Sequence, residues 1–227
     1  MAELNFRFEE LRPYAHLFGS QEILDKYQFA LEAAREKQRI LDENPEQRVF
    51  EDIVDTAQDG FTYEVPRLDD PRALLAGIIT DTCMYIGGDG EKYMNYIFMH
   101  GTDASRLMLI LDGHKQVAGY CRYKYRHDEE AGNEIYVSTI KYGKNYRFDQ
   151  TCEAAVRGLY EQMQANNQAG KNPVKCFSGK EIFSDTFQRC LKMQKQKEQE
   201  MSKGQGKGEK LKAVTVGGKD GGIEFQA

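Results

Sequence analysis

Cys83 stands four residues ahead of a Gly-Gly-Asp-Gly turn, and a lone His100 closes the next apolar run, in "TDTCMYIGGDGEKYMNYIFMHGT" (80–102). Three chemistries share those letters. A thiol beside an imidazole makes a nucleophile and its base. Gly87, Gly88 and Gly90 can turn backbone amides toward a phosphate, with Asp89 and Glu91 at the mouth open to a cationic substrate. The third reading is packing. Cys83 lies in an apolar helical stretch, where a thiol behaves as a small hydrophobe. Glycines also stop a helix by taking left-handed conformations. Context favours packing. The loop lacks the Lys-Ser/Thr of a P-loop, and it follows a predicted helix where a dinucleotide fingerprint would follow a strand. His100, at the end of a predicted strand (92–101), reads as structural.

The remaining thiols, Cys121, Cys152, Cys176 and Cys190, make the total odd, and no pair has CxxC spacing. With four histidines there is no zinc-ligand pattern, so no metal is expected. The start, "MAELNFRFEELRPY", lacks the regions of a signal peptide. No run of about 18 apolar residues occurs, so no membrane span is expected. Free thiols then point to a reducing compartment, the cytoplasm.

Net charge is −5, but its distribution is uneven. Residues 1–70 hold 17 Asp and Glu against 8 Lys and Arg; the remainder holds 19 against 23. Such a balance lacks the concentrated basic face of a strong nucleic-acid binder. The lysines between 192 and 212 read as a solvated helix face running into a tail.

The elements that must position any site follow from periodicity. Residues 21–43 place Leu24, Tyr27, Leu31, Ala34 and Leu41 on one helical face, with Ser20 as cap. Asn44-Pro45 ends that helix, and Pro45 can open a second one to about Asp55, giving a helical hairpin. "GFTYEVPRL" (60–68) reads as an extended connector. Asp70-Pro71 then starts an apolar helix running to about Ile86. Residues 106–128 predict a hairpin turning at Asp112-Gly113, and 133–143 a further strand. Tyr120, Tyr123 and Tyr125 in the hairpin read as alternation along a half-buried strand, ahead of a base-stacking surface. "FDQTCEAAVRGLYEQMQANNQ" is an amphipathic helix, 172–179 a short strand and "KEIFSDTFQRCLKMQKQKEQEM" a last helix. Glycine and lysine bias marks a flexible tail from about residue 201. The division expected is an acidic helical extension (1–60), an α/β domain (61–200) and the tail (201–227).

Strand, hairpin, strand, long helix, strand, helix is the order of the GNAT acyltransferase core, which residues 70–190 resemble. "MLILDGHKQVAGYCRYKY" resembles that family's central hairpin, with "VAG" opening its second strand. "IYVSTIKYGKNYRFDQTCEAAVRGLYEQM" resembles the next strand, cofactor loop and helix. "DTCMYIGGDGEKYMNYIFMHG" is similar to a segment ahead of GNAT-like domains in some bacterial proteins. The resemblance implies α/β architecture: a mainly antiparallel sheet flanked by helices.

It also implies an acyl-CoA, such as acetyl-CoA. The backbone of Val137, Ser138, Thr139 and Ile140 would hold its pantetheine, and the loop with Lys141, Gly143, Lys144, Asn145 and Arg147 its pyrophosphate. The loop departs from the family pattern: it has the single glycine Gly143, and bulky Tyr142 and Tyr146 stand where small residues are usual. By position, Glu134 and Tyr136 are the candidates for base and acid, with His127 and Asp128 behind them. Two readings stay open. One is N-acyl transfer to a small amine or a protein amine. The other is a non-catalytic regulator or inhibitor, of phage or other mobile-element origin, engaging a protein partner through residues 1–60.

Overall fold

A computed structural model describes residues 4–48, 50–55, 60–79, 105–128, 132–170, 173–179, 181–204 and 223–224. Cys83, His100, the glycines at 87, 88 and 90, Asp89, Glu91 and the strand expected over 92–101 lie outside the described residues.

After a 3-10 segment, Glu9–Leu17, comes the long helix α1, Gln21–Glu43. It starts as its sequence dictates: Ser20 accepts a hydrogen bond from the Ile23 amide at 3.3 Å. The second helix expected after Pro45 is not formed. Only a 3-10 turn, Pro45–Gln47, follows. Beyond it the chain is held extended from outside. Phe50 is buried against Tyr123 (ring centroids 5.3 Å), Glu51 is bonded through its backbone to the side chains of Asn166 and Gln162, and Val54 bridges to Glu64. Tertiary hydrogen bonds outweigh the local helical preference there.

The expected connector at 60–68 contains a strand, β1, Thr62–Glu64. Helix α2, Pro71–Ile79, follows, its Asp70 carboxylate accepting from the Arg72 amide at 2.8 Å. Then come β2, Ser105–Leu111; β3, Val117–Asp128; β4, Gly132–Tyr142; α3, Phe148–Ala169; β5, Cys176–Ser178; and α4, Asp185–Gly204. The last element is β6, Ile223–Glu224, which pairs with β5 within the stretch expected as a flexible tail.

The six strands lie in chain order, and every pairing is antiparallel except that of β4 with β5. The β2–β3 turn spans Asp112–Gln116. Its left-handed residue is Lys115 (φ 61°), not Gly113, because Asp112 accepts from the amides of His114 and Gln116 at 2.9 Å each and sets the turn.

Alternation divides the sheet into two faces. Met108, Ile110, Cys121, Tyr123, Ile135 and Val137 pack under α3 with Ala155, Leu159 and Met163. Leu107, Leu109, Leu111 and Tyr120 pack on the other face with Ala73 and Ala76 of α2. Helix α2 turns Leu74 and Leu75 toward Leu11, Leu24, Tyr27 and Leu31, joining α1 to the body. The result is a mixed α/β arrangement, as the resemblance implied: a mainly antiparallel sheet between helices.

Candidate functional site

The parallel pair β4–β5 exists because α3 returns the chain over one face before β5 begins, a β-α-β crossover. Its ladder is short: Glu134 with Cys176, Ile135 with Phe177, Tyr136 with Ser178. Past that point β4 runs on to Tyr142 while β5 stops. Two local features mark that point. The β3–β4 register slips between Arg122 (opposite Thr139) and Tyr123 (opposite Val137), so Ser138 is a bulge. Gly179, at φ 114°, brings its backbone so close to Val137 that a Cβ would overlap the Val137 carbonyl oxygen. The backbones therefore touch at Val137 and Gly179, where β5 has ended and β4 continues.

The expected pantetheine-binding residues fall on the part of β4 past the end of β5. Val137 and Ile140 bury their side chains under α3, Thr139 is buried on the opposite side of the pleat, and Ser138 is half-buried. The loop after β4 is tight. Gly143 donates its N–H to the Ala118 carbonyl at 2.8 Å, so that amide is already committed, and Tyr146 donates to Gly143 O at 3.0 Å. The two bulky residues are accommodated. Tyr146 turns away to hydrogen-bond Asp112 at 2.9 Å, and Tyr142 lies against Phe148 with ring centroids 5.7 Å apart. Gly119, of the "VAG" element, makes room for this corner: a Cβ there would meet the Lys141 carbonyl and, at 3.2 Å, the Thr151 methyl of α3.

Helix α3 begins at the end of this loop with Arg147 at its N-cap; the Arg147 side chain caps no amide, while Asp149 of the first turn accepts from the Gln150 amide at 3.0 Å. The first-turn amides of a helix have no intrahelical acceptor and sit at the positive end of its dipole. Lys141, Lys144, Asn145 and Arg147 are all exposed around that terminus. One charge there is already engaged, since Arg147 pairs with Asp149 at 2.7 Å.

Glu134 and Tyr136 share the face of β4 that points away from α3, two residues apart, within its ladder with β5. The Arg126 guanidinium lies 3.5 Å over the Tyr136 ring and 3.8 Å from the Glu134 carboxylate. His127 is exposed, its Nδ1 2.7 Å from Asn133 Oδ1, away from the loop, and Asp128 ends β3. Tyr123 is wholly buried and donates to Gln162 at 3.1 Å; burial pushes its hydroxyl well above the usual range. Tyr120 and Tyr125 likewise serve the two cores. The four described cysteines are buried. Among the described residues no His, Cys, Asp and Glu cluster could hold a metal, and no helix is long and apolar enough to cross a membrane. The site also includes Lys124, Arg126, Ser178 and Gly179, which sequence reasoning missed. The signal for the first two is the spacing of Lys124 and Arg126 between Tyr123 and Tyr125, which sets both cations on one face of a strand.

No family model matches the chain, and no curated protein gives a significant match to it. Among solved structures it is similar to a probable acetyltransferase at 11% identity and a TM-score of 0.38, over 70% of this chain and 98% of that one. It is similar to a ribosomal-protein-alanine N-acetyltransferase from Brucella melitensis biovar Abortus at 11% identity and a TM-score of 0.38, over 69% and 98% of the two chains. A GNAT-family N-acetyltransferase from Escherichia coli in complex with CoA matches at 18% identity and a TM-score of 0.35, over 55% of this chain and 64% of that one. Likenesses this distant carry no activity across, so the chemistry rests on the residues of this chain.

Proposed function

We propose that the protein transfers an acyl group from an acyl-CoA to an amine. One observation carries this reading: β4 and β5 pair in parallel only as far as Tyr136 and Ser178, and β4 runs on past the end of β5 to the N-terminus of α3, near which Lys141, Lys144 and Arg147 are exposed. An extended, amide-rich chain ending in phosphates would lie along that stretch of β4. Backbone along Ser138–Ile140 lies past the end of β5, and the first amides of α3, ahead of the Gln150 amide that Asp149 accepts, offer an anion the positive end of the helix. Gly143 acts by shaping the corner, since its own amide is bonded to Ala118.

When bound, acyl-CoA supplies the acyl group as a thioester. The protein's part is positioning and proton transfer. Glu134, on the face away from α3, takes the proton that the amine loses as its nitrogen bonds to the acyl carbon, directly or through one water. Tyr136, beside it, returns a proton to the sulfur that leaves. The stacked Arg126 holds the Tyr136 ring in place.

Calorimetric titration with acetyl-CoA and with desulfo-CoA tests the reading. Micromolar binding of both, lost in a Lys144→Glu, Arg147→Glu double variant, is the expected result. No binding up to millimolar ligand overturns it and leaves the acidic front, residues 1–60, as the surface to examine in pull-downs.

A further inference from the structure

We propose that the acceptor amine carries an acidic group, a carboxylate or a phosphate, bound on the sheet face that bears Lys124, Arg126, Tyr136 and Ser178. This rests on the acyl-transfer reading for the word acceptor, though the anion site stands on its own observations.

Register places two cross-strand rows on that face. Lys124 of β3 is opposite Tyr136 of β4, which is opposite Ser178 of β5. Arg126 is opposite Glu134, which is opposite Cys176. Side chains at paired positions project from the same face, so each row is a line of neighbours. Charge on the rows is out of balance. Lys124 has no carboxylate within ion-pair reach among the described residues; its ammonium has only the Tyr136 ring, 5.5 Å away. Arg126 lies 3.8 Å from Glu134, beyond hydrogen-bond distance, and spends its flat face on Tyr136. A stacked guanidinium keeps its in-plane N–H groups for a ligand. Arg126 thus has one loosely held carboxylate, and Lys124 has none within reach among the described residues.

The second observation is Ser178. Its hydroxyl oxygen is buried and has no hydrogen-bond partner among the described residues. A buried polar atom left unmet is costly, and an oxygen-rich ligand would relieve that cost. An acidic group at the edge of the Tyr136 ring, beside the in-plane N–H groups of Arg126, meets Lys124 on one side and the Ser178 hydroxyl on the other.

The cations here are not needed for the cofactor phosphates. Tyr136 and Gly143 are seven residues apart along β4 and its loop, roughly 20 Å at the rise of a strand. The loop end has its own Lys144 and Arg147. The acyl-transferring end of the site, beside Glu134 and Tyr136, is where an acceptor must sit, and there the cations await an anion.

The test uses the full chain and matched amines: glycine against glycinamide, and phosphoethanolamine against ethanolamine. Binding is read by NMR shifts of the β3–β4 amides, without turnover, beside the acetyl-CoA titration. An acidic amine is expected to bind about tenfold or more tightly than its neutral match, as one charged hydrogen bond provides. Lys124→Met and Ser178→Ala should each erase that preference while leaving neutral-amine binding in place, and Ser178→Ala, which removes the unmet hydroxyl, should not lower the melting temperature. Which acidic amine wins separates carboxylate from phosphate. Equal binding within both pairs overturns the proposal, as does a preference that survives Lys124→Met. If acetyl-CoA fails to bind while the charge preference appears and falls with Lys124→Met, the anion site stands and the acyl-transfer reading falls.

Discussion

Gly158 shows how little space separates α3 from the sheet. A Cβ there would lie 2.6 Å from the Met108 sulfur and 2.9 Å from the Tyr63 ring. Alanine normally improves a helix interior by about 1 kcal/mol over glycine. Here overpacking works the other way, at about 1–3 kcal/mol. The Met108 end can swing aside, but Tyr63 is fixed by its hydrogen bond to Glu161. Gly158→Ala is therefore expected to be net destabilising in chemical denaturation, and Gly158→Val more so; a stabilised Gly158→Ala would mean the helix rides higher on the sheet. Asp112 makes a second, pH-dependent case. Partial burial opposes its charge, but hydrogen bonds from the Gln116 amide, the Tyr146 hydroxyl and the His114 amide outweigh that and hold the carboxyl below its usual range. A depressed folded-state value contributes stability above the unfolded value of about 3.9, lost as pH falls through the lower folded one. The hairpin turn and the attached loop at Tyr146 should loosen together below about pH 4, seen as joint broadening of their amide signals. Asp112→Asn should show that loosening already at neutral pH. Independent behaviour of the two segments would sink the idea.

At the scale of elements, Gln162 and Asn166 of α3 act as a clamp on the segment that failed to become a helix. Gln162 accepts from Tyr123 and donates to the Glu51 carbonyl at 2.8 Å, while Asn166 accepts from the Glu51 amide at 3.2 Å. Gln162→Leu fits the buried volume but strands a phenol and a carbonyl, each about 1–3 kcal/mol. The expected result is a lowered midpoint and faster proteolysis near residues 50–55, with the far edge of the sheet unchanged in hydrogen exchange. The same clamp explains why the sequence misled over 45–55. "PEQRVFEDIVD" has ordinary helical letters, and the hydrogen-bond partners of Glu51 lie more than a hundred positions away. By contrast α1, the β2–β3 hairpin, β4 and α3 were legible, because alternation or three-and-four spacing runs through them for several turns. β1 has three residues and β6 two, too short for any period to register. At the site, what periodicity placed correctly is Glu134 and Tyr136 along β4 and the loop that follows it. The role of Ser178 was not legible, since an unmet hydroxyl is a property of the assembled sheet.

At the scale of the whole molecule, the question is what fastens the acidic front to the sheet. Ion pairs are numerous there: Arg12 with Glu9, Arg35 with Glu10, Arg39 with Glu36 and Glu43, and Arg67 and Arg48 with Asp42. Nearly all are exposed, and exposed pairs contribute little and fade with salt. The apolar cluster is different in kind. Leu11, Leu24 and Leu31 are fully excluded from solvent with Leu74 and Leu75, and α2 in turn covers Leu107, Leu109 and Leu111 of the sheet. Leu31→Ala is expected to cost about 2–5 kcal/mol, or roughly 5–15 °C of melting temperature. Arg35→Gln, which breaks an exposed pair on the same helix, should move the midpoint far less, and raising salt should scarcely affect the parent. Because α2 lies between the front and the sheet, the Leu31→Ala transition should remain a single step seen alike by far-UV circular dichroism and tyrosine fluorescence. Two separated transitions would show instead that the front melts alone, as a detachable extension would, and the site along β4 would then be expected to bind its ligands equally well without it.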